Sequence, residues 1–145
     1  MTAMKRSALV AYSAEQMFSL VNDVKSYPEF VPYCTGSEVL SQTPEEVKAS
    51  LVLGFSGMSK SFTTSNRLFP HKMIEVRLIK GPFKNLEGFW QFEEVDGHAC
   101  KVSLDLEFEI VGGLVSMIFG PVFQQVAGKL VDAFCQRAET VYAKA

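Results

Sequence analysis

The stretch from Gly112 to Ala145 sets the terms for the whole chain. After two glycines, Val115, Phe119, Val122, Val126, Leu130, Ala133 and Phe134 recur at helical spacing on one face. Ile118, Phe123, Ala127 and Val141 widen that face, while Gln125, Lys129, Asp132, Gln136 and Glu139 fall opposite. About thirty residues at 1.5 Å each make a rod of roughly 45 Å. A rod that long, with so broad an apolar face, needs an equally large apolar surface to lie against. Pro121 has no backbone N–H and its ring crowds the carbonyl of Met117. The spacing therefore predicts a short apolar helix before Gly120-Pro121 and the main amphipathic helix after it.

The middle of the chain supplies that surface, because its apolar period changes from 3.6 to 2. Val47, Ala49, Leu51, Leu53 and Phe55 alternate with more polar neighbours, and a turn follows at Gly54 to Gly57. Phe62, Thr64, Asn66 and Leu68 share the next face; Ile74, Val76 and Leu78 the one after; then Leu86, Gly88, Trp90 and Phe92. Pro70, Gly81-Pro82 and Asp96-Gly97 mark the turns. The last run is the cleanest, with Cys100, Val102, Leu104, Leu106, Phe108 and Ile110 opposite Lys101, Ser103, Asp105, Glu107 and Glu109. Five alternating strands with short turns make an antiparallel meander with one wet face. A first strand at Arg6 to Ala11 and another near Glu38 to Ser41 bring the count to six or seven. The reading is an α+β fold in one domain, 1–145, with a curved antiparallel sheet gripping the long C-terminal helix.

Between the first strand and the meander, Ser13 and Gln16 have the spacing of a capping box, and Met17, Leu20, Val21 and Val24 follow at helical intervals. The next eight residues, Tyr27-Pro28-Glu29-Phe30-Val31-Pro32-Tyr33-Cys34, combine two prolines with large apolar groups. Prolines forbid a long helix and the apolar groups need cover, so this segment reads as a packed plug or a lid.

Composition excludes several classes. A net charge of −2 with no run of lysine or arginine does not suit DNA binding. Three widely spaced cysteines, Cys34, Cys100 and Cys135, read as reduced thiols of a cytosolic protein rather than as disulfides or a zinc site. Met1 to Ser7 lacks the apolar block of a signal peptide. The uncharged stretch from Ile110 to Gly128 holds further glycines, a proline and Gln124-Gln125, so it reads as a core helix. The alternative is a lip that touches a membrane surface.

Catalytic signals are weak. Gly54-Phe55-Ser56-Gly57-Met58 lacks the closing glycine of a nucleophile elbow and sits at a hairpin. His71 and His98 lie beside turns without neighbours at metal spacing, and no phosphate loop or dinucleotide fingerprint is present. What remains is the space between helix and sheet, an apolar pocket with a few polar groups. From the sheet, its lining is expected to come from Phe62, Thr64, Asn66, Leu78 and Trp90. From the helix come Phe119, Val122, Val126, Leu130, Phe134 and Arg137. Arg137 is either an inward polar group or one whose stem packs while its head reaches water. Tyr27, Pro28, Phe30, Pro32 and Tyr33, with Gly81, Pro82 and Phe83, are the expected gate or lid.

Three motifs in this order resemble a known family. Tyr27-Pro28-Glu29-Phe30-Val31-Pro32-Tyr33-Cys34 looks like its Tyr-Pro-x-Phe-x-Pro-x-Cys signature. Gly81-Pro82-Phe83-Lys84 with Leu86 and Trp90 is similar to the second signature. Phe119-Gly120-Pro121-Val122-Phe123 and Ala133-Phe134-Cys135-Gln136-Arg137-Ala138 are similar to the third. The family is the START-like (polyketide cyclase and lipid transport) group that holds coenzyme Q-binding proteins and the ribosome association toxin RatA. The resemblance implies a helix-grip fold. One branch binds ubiquinone and supports cellular respiration without catalysing a reaction. The RatA branch is a toxin–antitoxin component that binds the large ribosomal subunit and blocks subunit association. Val21-Asn22-Asp23-Val24, Cys34-Thr35-Gly36-Ser37 and Phe62-Thr63-Thr64 look closer to the RatA branch, which implies a bacterial member.

The expectation is a non-enzymatic binder of a hydrophobic ligand, a ubiquinone or related polyisoprenoid lipid, with no required cofactor. The alternative is a ribosome binder, with Lys5, Arg6, Lys60, Lys80 and Lys84 as candidate contacts. The acidic balance weighs against rRNA contact and leaves a quinone binder untroubled. A cyclase-type enzyme is the third class, without a candidate acid–base pair. Either main reading places the protein in the cytoplasm, with transient contact at the inner membrane if it handles lipid.

Overall fold

The structure, a computed structural model, describes residues 2–143, with the side chains of 115 and 116 outside the description. Seven strands form one antiparallel sheet: β1 (Thr2–Val10), β2 (Cys34–Gln42), β3 (Glu46–Phe55), β4 (Met58–Phe69), β5 (Met73–Lys80), β6 (Phe83–Asp96) and β7 (Ala99–Ile110). Their order is β1-β7-β6-β5-β4-β3-β2, so the chain meanders from β2 to β7 and β1 closes on the far side of β7. Two helices cover one face, α1 (Ala14–Asn22) and α2 (Leu114–Tyr142). This is the helix-grip α+β fold, with seven strands.

The alternation read from sequence is the alternation of burial. Cys100, Val102, Leu104, Leu106 and Phe108 are all buried, and Val47, Ala49, Leu53 and Phe55 face the same interior. The β3–β4 connection is a two-residue turn with positive φ at both Ser56 (48°) and Gly57 (73°), the mirror-image geometry whose twist matches the flanking strands. Phe55 and Met58 pair across it, which fixes the register of the dry-face residues. The capping box forms as expected: Gln16 N–H donates to Ser13 Oγ at 3.1 Å, and Ser13 N–H donates to Gln16 Oε1 at 2.9 Å.

Three expectations change. Gly120-Pro121 does not divide the rod, because α2 runs unbroken for 29 residues. Pro121 and Met117 both lie on its exposed side, where water can reach the carbonyl that the proline leaves without a donor. Val141 belongs to the exposed surface near the C-terminal end of α2, and the place of Val115's side chain lies outside the described residues. β2 is longer than the segment near Glu38 to Ser41, as an edge strand with irregularities between Cys34 and Gly36 and between Val39 and Ser41.

The proline-rich segment folds as a 3-10 helix, Val24–Glu29, followed by a turn into β2. Tyr27 and Val31 are buried, Phe30 and Pro32 half-buried, and Pro28 and Tyr33 exposed. It is a plug held by one side, not a wholly buried one. Burial and nearby Asp23 and Cys34 raise the Tyr27 hydroxyl's pKa, so it stays protonated and donates to the Val21 carbonyl at 2.5 Å.

Candidate functional site

Two groups of aromatic rings divide the interior between sheet and helix. Near the start of α2, Phe83 and Phe123 have ring centres 4.8 Å apart, Phe108 and Phe123 also 4.8 Å, and Phe62 and Phe83 5.5 Å. Near its end, Phe134 stands edge-on to Tyr27 at 5.3 Å, Trp90 at 5.3 Å and Phe30 at 5.1 Å. Such pairs are worth about 0.5–1.5 kcal/mol each beyond burial. α2 lies closest to β1, β7 and α1. Over β3 to β6 the rings hold it off the sheet.

A cavity of about 100 Å³ fills the space between the two groups. From the sheet its wall takes Leu51, Leu53, Phe62, Thr64, Asn66, Val76, Leu86, Trp90, Leu104 and Leu106. From α2 it takes Phe123, Val126, Ala127, Leu130 and Phe134, and the plug adds Tyr27 and Val31. The wall is apolar apart from Thr64, Asn66 and the polar tips of Tyr27 and Trp90. Thr64 Oγ1 donates to Asn66 Oδ1 at 2.9 Å. Among the described residues, no carboxylate, histidine, lysine, arginine or cysteine lines it. The volume exceeds that of one or two waters but falls short of the roughly 300–1,000 Å³ of drug-sized ligand sites. Larger clefts, about 490 Å³ around Lys5, Glu87 and Asp105 and about 510 Å³ around Glu29, Lys129 and Asp132, lie on the outer surface among charged groups.

Of the residues expected to line the pocket, the structure brings Phe62, Thr64, Asn66, Trp90, Val126, Leu130 and Phe134 to the cavity, with Tyr27 from the expected gate. Leu78, Phe119, Val122 and Arg137 are elsewhere. Phe119 is fully buried in the first aromatic group, against Phe83 at 5.6 Å, and Leu78 and Val122 are half-buried away from the cavity wall. Arg137 faces outward: its Nη2 is 3.1 Å from Glu29 Oε1 and its guanidinium lies 5.0 Å from the centre of the Phe30 ring. A guanidinium in an apolar cavity would lack a partner, whereas the seam between plug and helix supplies a carboxylate and a ring face.

The expected gate divides too. The Gly81-Pro82-Phe83 turn is closed against the interior, with Phe83 5% exposed and packed in the core. A Cβ on Gly81 (φ 154°) would stand 2.5 Å from Phe62 Cβ, so this turn is pressed against the wall it was expected to open. Tyr33 does bridge plug and helix, donating its hydroxyl to Gln125 Oε1 at 2.9 Å from a left-handed backbone (φ 62°). Sequence reasoning missed Leu51, Leu53, Val76, Leu86, Leu104 and Leu106 of the sheet, and Val31, Phe123 and Ala127 opposite them, as wall residues. Each sheet residue was on a dry face, and the missing information was which stretch α2 fails to touch.

Comparison with known proteins decides the family. Residues 10–135 match the family described as polyketide cyclase / dehydrase and lipid transport. The chain belongs to that family. It is 48% identical over 141 residues to the ribosome association toxin RatA of Pseudomonas aeruginosa, covering 97% of this chain and 98% of that one. It is 30% identical over 135 residues to the mitochondrial coenzyme Q-binding protein COQ10 of Drosophila melanogaster, covering 90% of this chain and 56% of that one. In fold it is similar to the Zhui aromatase/cyclase of Streptomyces, with a TM-score of 0.82, 16% identity and 99% and 98% of the two chains covered. At that identity the likeness extends to the fold alone.

Proposed function

We propose that this protein associates with the ribosome, as the name of its RatA relative states of that protein, and acts in the bacterial cytoplasm by holding the large subunit from its partner. The observation that carries the reading is 48% identity across 97% of the chain, against 30% to the coenzyme Q-binding protein. This reverses the order of the two expectations drawn from the sequence. The net charge of −2 weighs less once the charges have places. Lys60, Lys80 and Lys84 gather at one end of the sheet, at the start of β4, the end of β5 and the start of β6. The opposite end, near the β2–β3, β4–β5 and β6–β7 turns, carries both signs, Glu45, Glu93, Glu94 and Asp96 with Arg67, Lys72 and Lys101. Lys84 is 3.5 Å from Glu109 and Lys5 is 3.6 Å from Asp105, whereas Lys60 and Lys80 are in no ion pair with a described residue. A basic end on an acidic protein suits contact with phosphates through a few lysines.

The test is co-sedimentation of the purified protein with isolated large subunits at rising salt. Binding should weaken with salt, and Lys60→Glu with Lys80→Glu should abolish it while the protein stays folded. Absence of co-sedimentation at low salt would sink the reading.

The second reading, favoured by the cavity itself, is that the protein also binds a small apolar ligand between sheet and helix. The lining has no acid–base pair, which supports holding a ligand over transforming one. A whole polyisoprenoid needs more room than about 100 Å³, so the wall must open or only one end of the ligand enters. No described helix is long and apolar enough to cross a membrane. Leu114 and Met117, 70% and 74% exposed at the start of α2, would let that end touch a lipid surface during loading. Mass spectrometry of an organic extract from gently purified protein tests this reading, and an extract without any apolar compound speaks against it.

A further inference from the structure

We infer that Thr64 and Asn66 form a hydrogen-bond-donating subsite that selects a neutral apolar ligand carrying a carbonyl-type oxygen; this rests on the reading in which the cavity holds a small molecule. The argument begins with where β4 puts these two side chains. Asn66 pairs with Val47 on one side and Val76 on the other, so an amide interrupts an apolar row on the dry face. Thr64 is 9% exposed on the same face, beside Ala49 in register. Polar groups in such a place are costly unless they are paired. They are paired with each other: the Thr64 hydroxyl donates to Asn66 Oδ1 at 2.9 Å. That bond occupies the amide oxygen and fixes the amide's orientation, which turns its two N–H donors away from Thr64. The Asn66 side chain makes no other hydrogen bond with a described residue.

The hydroxyls of the wall have their protons engaged in hydrogen bonds and keep only acceptor lone pairs, so the donors left over are N–H groups. The Tyr27 hydroxyl is spent on the Val21 carbonyl, and the indole N–H of Trp90 can only donate. A ligand that satisfies the free Asn66 N–H groups must therefore bring an acceptor. A carboxylate is an acceptor, but no lysine, arginine or histidine among the described residues lines the cavity, and a buried unpaired charge is prohibitive. The ligand's oxygen is thus neutral: the carbonyl of a quinone or ketone, or that of an ester. The volume of about 100 Å³ takes a short acyl stretch beside that oxygen, and a ring only where the wall gives way. For scale, an apolar cavity of about 150 Å³ takes up benzene.

Trp90 is the sole tryptophan and lines the cavity, so its emission reports the site directly. The experiment titrates the folded protein, by calorimetry and Trp90 emission, with two matched pairs of probes. One pair is an alkyl benzoquinone and the alkylbenzene of equal chain length; the other is a fatty acid methyl ester and the corresponding alkane. The oxygen-bearing member should bind about two- to thirteenfold tighter than its hydrocarbon, the span of one net hydrogen bond. Whichever pair shows the larger ratio names the source, ring or acyl chain. Asn66→Leu keeps the size and removes the donors, so it should erase the preference, the hydrocarbon then binding at least as tightly as its oxygen-bearing partner. Thr64→Val, which frees the amide to turn, should reduce the preference and carries the test if the first variant does not fold. Equal binding within both pairs by the unaltered protein, or a preference that survives Asn66→Leu, overturns the subsite while the cavity reading stands. If no probe binds, the cavity reading falls and the subsite with it.

Discussion

Arg137 Nη2 lies 3.1 Å from Glu29 Oε1, joining residues 108 positions apart in the chain across the seam between plug and α2. The carboxylate is 61% exposed and the arginine side chain 19% exposed, so the bond is half in water. Its charge–charge part is then worth about 0–1 kcal/mol, and the guanidinium over Phe30 adds roughly 0.5–1 kcal/mol. Glu29→Gln should lower stability to urea by less than about 1 kcal/mol, and Arg137→Ala by about 1–2 kcal/mol because packing on Phe30 is lost as well. Equal effects of the two would assign the whole contribution to the ion pair.

The rings behind that seam differ in cover. Phe134 is fully buried and touches Tyr27, Phe30 and Trp90, whereas Phe30 is half-buried. Phe134→Ala should cost about 3–5 kcal/mol in chemical denaturation, and Phe30→Ala about half as much. If Phe30→Ala proved the costlier of the two, the plug would be more central to the core than its burial indicates.

Much of this fold was legible because the middles of β3 to β7 obey one rule: every second residue on the dry face is apolar, with Thr64, Asn66 and Gly88 the exceptions. Register and strand count follow from that rule and the turn chemistry. The site was legible in half. Thr64 and Asn66 stand out because they break the apolar pattern, and Val126, Leu130 and Phe134 because they centre the helix face. Arg137 shares that face in projection, yet a long side chain near a helix end is placed by its partners, and Glu29 is remote in sequence. Pro121 misled for a related reason. A proline breaks a helix when the freed carbonyl is buried, and sequence does not say which side of α2 is wet. The position of the void depends on a few aromatic rings holding the helix off the sheet, a three-dimensional outcome with no periodic signal.

The turn at Gly81 is a strict requirement. A methyl group there would meet Phe62 Cβ at 2.5 Å and Phe62 Cα at 3.2 Å, and the φ of 154° is unfavourable for other residues. Gly81→Ala should destabilise by about 1–3 kcal/mol in thermal or urea unfolding. Gly57→Ala is the useful comparison, since nothing lies within 4 Å of an added Cβ and only its φ of 73° is strained. A smaller loss at Gly81 than at Gly57 would show that the β5–β6 turn yields.

Burial also gives the thiols a pH signature. Cys100 has no exposed surface, and burial, reinforced by Cys135 and Glu94, pushes its pKa up to about 11 from 9.0. The fold therefore favours the neutral thiol. That contribution is complete below the unfolded value and is lost as pH rises from about 9 through 11. Urea midpoints should fall across that window, and Cys100→Ala, less stable at pH 7, should show a shallower fall. An identical fall in both would assign the alkaline loss to other groups.

The two functional readings separate at Leu130. It lines the cavity from α2, half-buried, and is remote from the β4–β5–β6 end that carries Lys60 and Lys80. An apolar ligand would be held mainly by burial, at about 25 cal/mol per Å² of apolar surface before association costs. Leu130→Asp places a carboxyl in that space, where it must either lose its charge or draw in water. In a variant that retains its far-ultraviolet spectrum, bound apolar compound should disappear from the organic extract, while co-sedimentation with large ribosomal subunits and its salt dependence persist. Lys60→Glu with Lys80→Glu should do the reverse. If Leu130→Asp removes both activities from a folded protein, ligand and ribosome binding are coupled through α2 rather than carried by separate surfaces. If it removes neither, the cavity between Val126 and Phe134 is not where the ligand sits.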